Sequence, residues 1–388
     1  MKRLKLCMLF LILFITSINN NAHAIETRAT HAILVDYETG MVLFEHNPDT
    51  LMSPASMSKL MTVLMVLEAV EDGRISMNDK FFVSDDAWRR GGSKSGSSTM
   101  FLNARSRVSV ENLLRGVIIQ SGNDACIALA EGLGGSELGF AEMMTERAQD
   151  LGMEKSTFVN STGWPDEEHK TTARDLAYLT KHLIKHHSSS YGMFAERSFT
   201  WNGITQQNRN PLLYANMGAD GLKTGHTQDS GYGLVASAEQ NGRRLIMVIN
   251  GLQSKKERAS EARKLMNWGF RAFTNDTLAT PDDVLVRAPV WQGEFARVGL
   301  APSKAFRVVL PRTGLRKMVV TASYDKPILA PITKGMRVGK LRVTLPGLET
   351  QEIDLVTTAN IEREGMLARA LSAISLSLIH ISEPTRPY

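Results

Sequence analysis

The chain opens on an apolar run, Leu6 to Ile15, set behind Lys2, Arg3 and Lys5 and ahead of Ala22-His23-Ala24. The run is too short to span a bilayer. A basic end, an apolar middle and a small-residue Ala-x-Ala site read as a secretory leader, residues 1–24. Period-two runs follow at Ile33–Val35 and Val42–Phe44 around Thr39-Gly40, a hairpin pattern. Helical spacing then dominates from Ser53 to about His187, starting with SPASMSKLMTVLMVLEAV, in which Ser53 is placed to cap and Pro54 to occupy the first helical position. Strand character returns in GYGLVASAEQNGRRLIMVINGL, with Asn241-Gly242 as a two-residue turn, and the helical EARKLMNWGFRAF closes the unit. Strands at both ends of one segment predict an α+β domain over residues 25–280, an antiparallel sheet flanked by helices. Beyond Thr277–Asp283, short alternating runs broken by Pro and Gly predict a small all-β domain, residues 281–360. Ile361, Leu367, Leu371 and Ile374 then mark one side of an amphipathic helix beginning over 361–375.

At 388 residues the chain is long enough for two or three domains. The leader carries three of the positive charges in a formal net +5, so the mature chain is left at +2, with no electrostatic footprint for nucleic acid. Of two cysteines, Cys7 leaves with the leader, and Cys126, in an apolar run, reads as a small buried residue. No spacing suggests a metal site, and His186-His187 beside three serines reads as a solvated helix end.

The helix starting at Ser53 holds one charge before Glu68, which is Lys59. A lysine there either snorkels to the surface or sits desolvated, with a lowered pKa that lets it act as a base. Ser56, three residues upstream, shares its helical face, and Ser-x-x-Lys is the minimal pairing of a weak nucleophile with an activating base. Alone the pair is weak evidence, since a chain of this length yields about one by chance. Two further motifs follow in order: Ser121-Gly122-Asn123, 65 residues beyond Ser56, and Lys223-Thr224-Gly225, 102 beyond Ser121. The ordered triple is shared by penicillin-binding proteins and class A β-lactamases.

With a leader before it and a β domain after it, the set resembles the low-molecular-mass D-alanyl-D-alanine carboxypeptidases, serine peptidases of the penicillin-binding group. The resemblance runs from about His31 to Ile374. It implies a serine β-lactamase/D,D-peptidase-like fold and an acyl-enzyme on Ser56, with Lys59 taking its proton and the Ser56 N–H helping to hold the oxyanion. Ser121 would pass a proton to the leaving amine and Asn123 would bind the substrate peptide, both on a turn where short polar residues are exposed. Lys223, Thr224 and Gly225, ahead of a strand pair, would meet a substrate carboxylate, with glycine letting a backbone approach. The resemblance adds Thr227 at that carboxylate, the His226 N–H as second oxyanion donor, and Arg209 and Arg258 near the pocket. It implies a peptidoglycan stem peptide ending in D-Ala-D-Ala as substrate, β-lactams as covalent inhibitors, no cofactor and no metal. It also implies a periplasmic place on the outer face of the inner membrane, held peripherally by the C-terminal helix.

Three rivals share parts of this pattern. A β-lactamase needs a carboxylate to activate water, and neither GWPDEEHK nor TARD resembles that loop. A D,D-endopeptidase shares all three motifs, and a non-catalytic envelope scaffold would not need them intact. Ala104-Arg105-Ser106 departs from relatives that carry a turn glycine there, where a bulky residue at positive φ is costly. Leu376 to Arg386 resembles the in-frame translation of a transposon-derived sequencing adapter, so residues 376–388 are read as an artefact rather than an ordinary tail. The remaining anchor is then too short for firm interfacial binding.

Overall fold

A computed structural model describes residues 25–313 and 315–365. The leader, the adapter-like segment and most of the expected anchor helix lie outside the described residues. The first domain is built on five antiparallel strands: β1 (His31–Asp36), β2 (Val42–His46), β3 (Ala219–Thr227), β4 (Gly231–Gln240) and β5 (Arg243–Leu252), in the spatial order β2-β1-β5-β4-β3. The hairpin turn expected at Asn241-Gly242 is present, with both residues at positive φ (51° and 74°), the geometry that matches the twist of the strands it joins.

Both faces of the sheet are covered, so its strands alternate between two cores rather than between core and solvent. On β5, Ile246 and Val248 join one apolar cluster while Leu245, Met247 and Ile249 join the other. The first cluster receives the helices α1 (Lys59–Glu71), α2 (Asn123–Gly134), α3 (Glu137–Asp150) and α4 (Ala173–His186); the second receives α5 (Lys255–Ala272). Helix α1 is central, with ten of its thirteen residues buried, and each large aliphatic side chain so placed contributes about 1.5–3 kcal/mol. In α4 the Thr172 hydroxyl accepts the Asp175 N–H, and Leu176, Leu179, Leu183 and Ile184 face inward at helical spacing.

Several local expectations change. A short 3-10 turn, Ala55–Ser58, precedes α1, and Ser53 makes no cap: its hydroxyl accepts the Lys170 ammonium at 3.1 Å. Arg105 does adopt the costly left-handed conformation (φ 61°), and its guanidinium forks onto Asp85. His187 is buried and bonded through Nδ1 to Glu71 at 2.8 Å, because the chain turns at the end of α4 and folds it back against α1. It is not a solvated helix end.

The all-β unit begins before the expected 280/281 boundary. Strand β6 (Phe273–Ala279) leaves α5 directly and pairs antiparallel with the later strand Phe306–Pro311, which neighbouring residues on the chain do not reveal. Six other strands form a second sheet over residues 286–357. Arg243 links the two units: its Nε donates to Asp36 and Asn275 and its Nη1 to the Gly269 and Phe273 carbonyls.

Candidate active site

The 3-10 turn leading into α1 presents Ser56 at the surface of the domain and turns Lys59 inward, where it is fully buried. Snorkelling is excluded. Lys59 Nζ donates to Ser56 Oγ at 2.9 Å, to Asn123 Oδ1 at 2.7 Å and to the Thr162 carbonyl. Burial pulls its pKa down from 10.5 to about 8, and Arg209 pushes the same way. An amine near neutrality beside a hydroxyl can remove that hydroxyl's proton. The Ser56 N–H stands in the first turn, where amides lack intrahelical acceptors.

Ser121 and Asn123 arrive from the other side. The helix Val110–Arg115 loosens into a π-type turn over Gly116–Gln120 and ends with Ser121 in the left-handed conformation (φ 60°), an uncommon state for a residue other than glycine. Both residues are buried rather than exposed, because β3 and the segment around Ser97–Leu102 close over them. Asp124 ties that segment down: its carboxylate accepts the Thr99 hydroxyl at 2.7 Å and the Met100 and Leu102 amides at 2.8 and 3.0 Å.

Lys223, Thr224 and Gly225 lie within β3 itself, not ahead of it, and β3 is the sheet's outer strand, so one row of its backbone groups is left without a neighbouring strand. Buried Lys223 donates to Ser121 Oγ at 2.9 Å and to the Thr224 carbonyl at 3.1 Å; burial holds its pKa well below the usual lysine value, with Lys59 and Arg209 adding to the effect. A Cβ on Gly225 would stand 2.8 Å from the Pro54 carbonyl and 3.0 Å from Met57 Cγ, so glycine is what lets β3 pass this close to the turn that carries Ser56. The motifs thus form two bonded groups, Ser56–Lys59–Asn123 on one side and Ser121–Lys223 on the other.

Ser56, Ser121, Thr224, Gly225, His226, Arg209 and Arg258 line one cleft of about 560 Å³, with Lys255 at its edge. No Asp or Glu is among the described residues that line it. Arg209 donates to Ser98 Oγ at 2.6 Å, and Arg258 reaches the Arg209 carbonyl at 3.4 Å. Burial lowers the Arg258 pKa to about 10, and its guanidinium lies 5.8 Å from the Tyr232 ring, on which His226 stacks at 3.8 Å. Thr227 does not join them: it faces Gly231 at the end of β3, where its hydroxyl bonds to Ser230 Oγ at 2.7 Å and closes the hairpin. A larger hollow of about 910 Å³ lies beside Glu131, Glu137 and Trp164, and none of its described lining residues belongs to the three motifs.

The family model described as D-alanyl-D-alanine carboxypeptidase, peptidase S11, matches residues 18–254. The chain belongs to that family. A second model, the C-terminal domain of penicillin-binding protein 5, matches 273–363, beginning at the first residue of β6. Among curated S11 relatives, D-alanyl-D-alanine carboxypeptidase DacC of Escherichia coli K12 is 40% identical over 351 residues, covering 90% of this chain and 87% of its own. DacD of the same organism is 38% identical, covering 89% of each. The crystal structure of penicillin-binding protein 5 from Haemophilus influenzae superposes with a TM-score of 0.78 at 34% identity, covering 87% of this chain and 99% of that one.

Within this S11 fold, Cys126 is the inert residue expected, fully buried, with its thiol pushed up to about 12. Sequence reasoning missed Asp124, Thr162 and Ser98. The first follows Asn123 directly and could have been suspected as a buried anchor; the other two sit in loops with no periodic signal.

Proposed function

We propose that this protein is a serine D,D-carboxypeptidase that removes the terminal D-alanine from peptidoglycan stem peptides and is acylated by β-lactams. The observation that carries the reading is the 2.9 Å contact between Ser56 Oγ and a fully buried Lys59 whose pKa has fallen to about 8. Lys59 accepts the Ser56 proton as Oγ attacks the penultimate D-alanine carbonyl, and the Ser56 and His226 N–H groups hold the oxyanion. As the C–N bond breaks, Ser121, bonded to Lys223, delivers a proton to the departing amine. Ser121 regains its proton from Lys59, and the neutral Lys59 amine then takes a proton from the water that hydrolyses the ester and returns it to Ser56 Oγ.

Asn123 holds the peptide, while Thr224, Arg209 and Arg258 meet the terminal carboxylate in a cleft lined by cations and no acids. The cleft also lacks the added carboxylate with which class A β-lactamases activate their deacylating water, which argues against that reading. The leader and the family point to a periplasmic enzyme at the outer face of the inner membrane; the natural product would be held there by a full C-terminal anchor, whereas the anchor left before residue 376 is too short to hold it firmly. No described helix is long and apolar enough to cross a membrane.

Intact-protein mass spectrometry after incubation with penicillin, followed by peptide mapping, tests the assignment. The expected adduct is on Ser56, and Ser56→Ala loses both the adduct and D-alanine release while its circular dichroism is unchanged. Labelling that survives in that variant moves the nucleophile elsewhere.

A further inference from the structure

Three side chains far from the cleft converge between α1, α3 and α4. One ligand atom from each of Glu68, His182 and His187 lies within 4.8 Å of the other two. The donors around a tetrahedral zinc stand about 3.4 Å apart, so side-chain rotations that close the group by up to about 1.4 Å would bring the donors to ligating distance. His187 is the telling member. Its side chain is 3% exposed, Nδ1 faces Glu71 Oε1 at 2.8 Å, and Nε2 is buried with no hydrogen-bond partner. With Nδ1–H donated to a carboxylate, Nε2 carries the lone pair, the arrangement in which a second carboxylate orients a metal-binding imidazole.

We propose that Glu68, His182 and His187 bind a zinc ion that pins α1 to the carboxyl end of α4. Two nitrogens and one carboxylate suit a borderline dication better than calcium or magnesium, and leave one position for water. A cation already sits at this place: Arg147 of α3 forks onto Glu68, with Nη2 at 2.6 Å from Oε1. Zinc displaces that guanidinium, which has Asp150 within 4.0 Å as an alternative partner. Glu68 is nine residues along α1 from Lys59, about 14 Å at the helical rise, so the ion acts on stability and not on the reaction.

Calorimetric titration of the untagged full chain with zinc chloride, with bound metal counted by elemental mass spectrometry, tests this. One zinc per chain is expected, with a raised melting temperature and unchanged D-alanine release. His182→Gln and His187→Gln each weaken binding at least about tenfold. Arg147→Gln strengthens it several-fold, because the competing cation is gone. Should His187→Gln fail to fold, the more exposed His182 and the opposite-signed Arg147 variant still decide. Absence of stoichiometric zinc at micromolar concentration overturns the proposal. So does affinity that is unchanged in His182→Gln, or unchanged or weaker in Arg147→Gln.

Discussion

Acylation of Ser56 should follow the ionisation of Lys59. The base must be neutral to accept a proton, and burial has brought its pKa from 10.5 to about 8. At pH 7 about one molecule in eleven then carries the neutral amine, against roughly one in 3,000 for an unperturbed lysine, a gain of a few hundred-fold, or about 3 kcal/mol. The rate constant for acylation by a fluorescent penicillin, measured by stopped flow, should rise about tenfold per pH unit below pH 8 and level off above it. Arg209 lowers the same pKa, so Arg209→Gln should move the midpoint upward, whatever it does to binding. The depression also sets a sign for stability. The unfolded chain binds this proton up to about pH 10.5 and the folded chain only to about 8, so this group's contribution to stability rises with pH across that window and is lost as pH falls through 8. An acylation rate that is flat between pH 6 and 9, or a midpoint near 10.5, would refute the assignment of Lys59 as the base.

Lys59→Arg should be nearly as damaging as loss of Ser56, since a guanidinium stays protonated; near-normal acylation in a gel-labelling assay would reject the role. A stem peptide whose terminal carboxylate is amidated should be a poor substrate, because the cleft is lined by Arg209, Arg258 and Lys255 and no acid, and equal turnover of acid and amide by amino-acid analysis would favour an endopeptidase. Asp124→Ala leaves the Thr99 hydroxyl and the Met100 and Leu102 amides without their acceptor, so denaturant unfolding should show a loss of about 2–4 kcal/mol together with weaker penicillin labelling. A loss confined to stability would separate Asp124 from positioning Ser121 and Asn123.

Motifs and periodicity were enough to point to the chemistry. Ser56 and Lys59 are three residues apart on one helical face, and a local rule of geometry puts the hydroxyl and the amine together in any context. The same holds for the turn at Asn241-Gly242 and the inward face of α4, since each depends only on residues adjacent along the chain. What adjacency cannot decide is which distant segment covers a group. The role proposed for Lys59 depends on Asn123, 64 residues away, and the Thr162 carbonyl, 103 away, which bond to its buried ammonium. Ser121 looked like an exposed turn residue until β3 and the Ser97–Leu102 segment closed over it. Thr227 closes the motif stretch, yet its hydroxyl is bonded to Ser230 in the hairpin turn and Thr227 is not among the residues lining the cleft. His187 looked solvated until α1 supplied Glu71, and β6 looked like the end of one domain until its partner strand, more than 25 residues on, drew it into the next. Burial and strand pairing are sums over contacts between remote segments. They move pKa values and exposure without leaving a local pattern in the sequence.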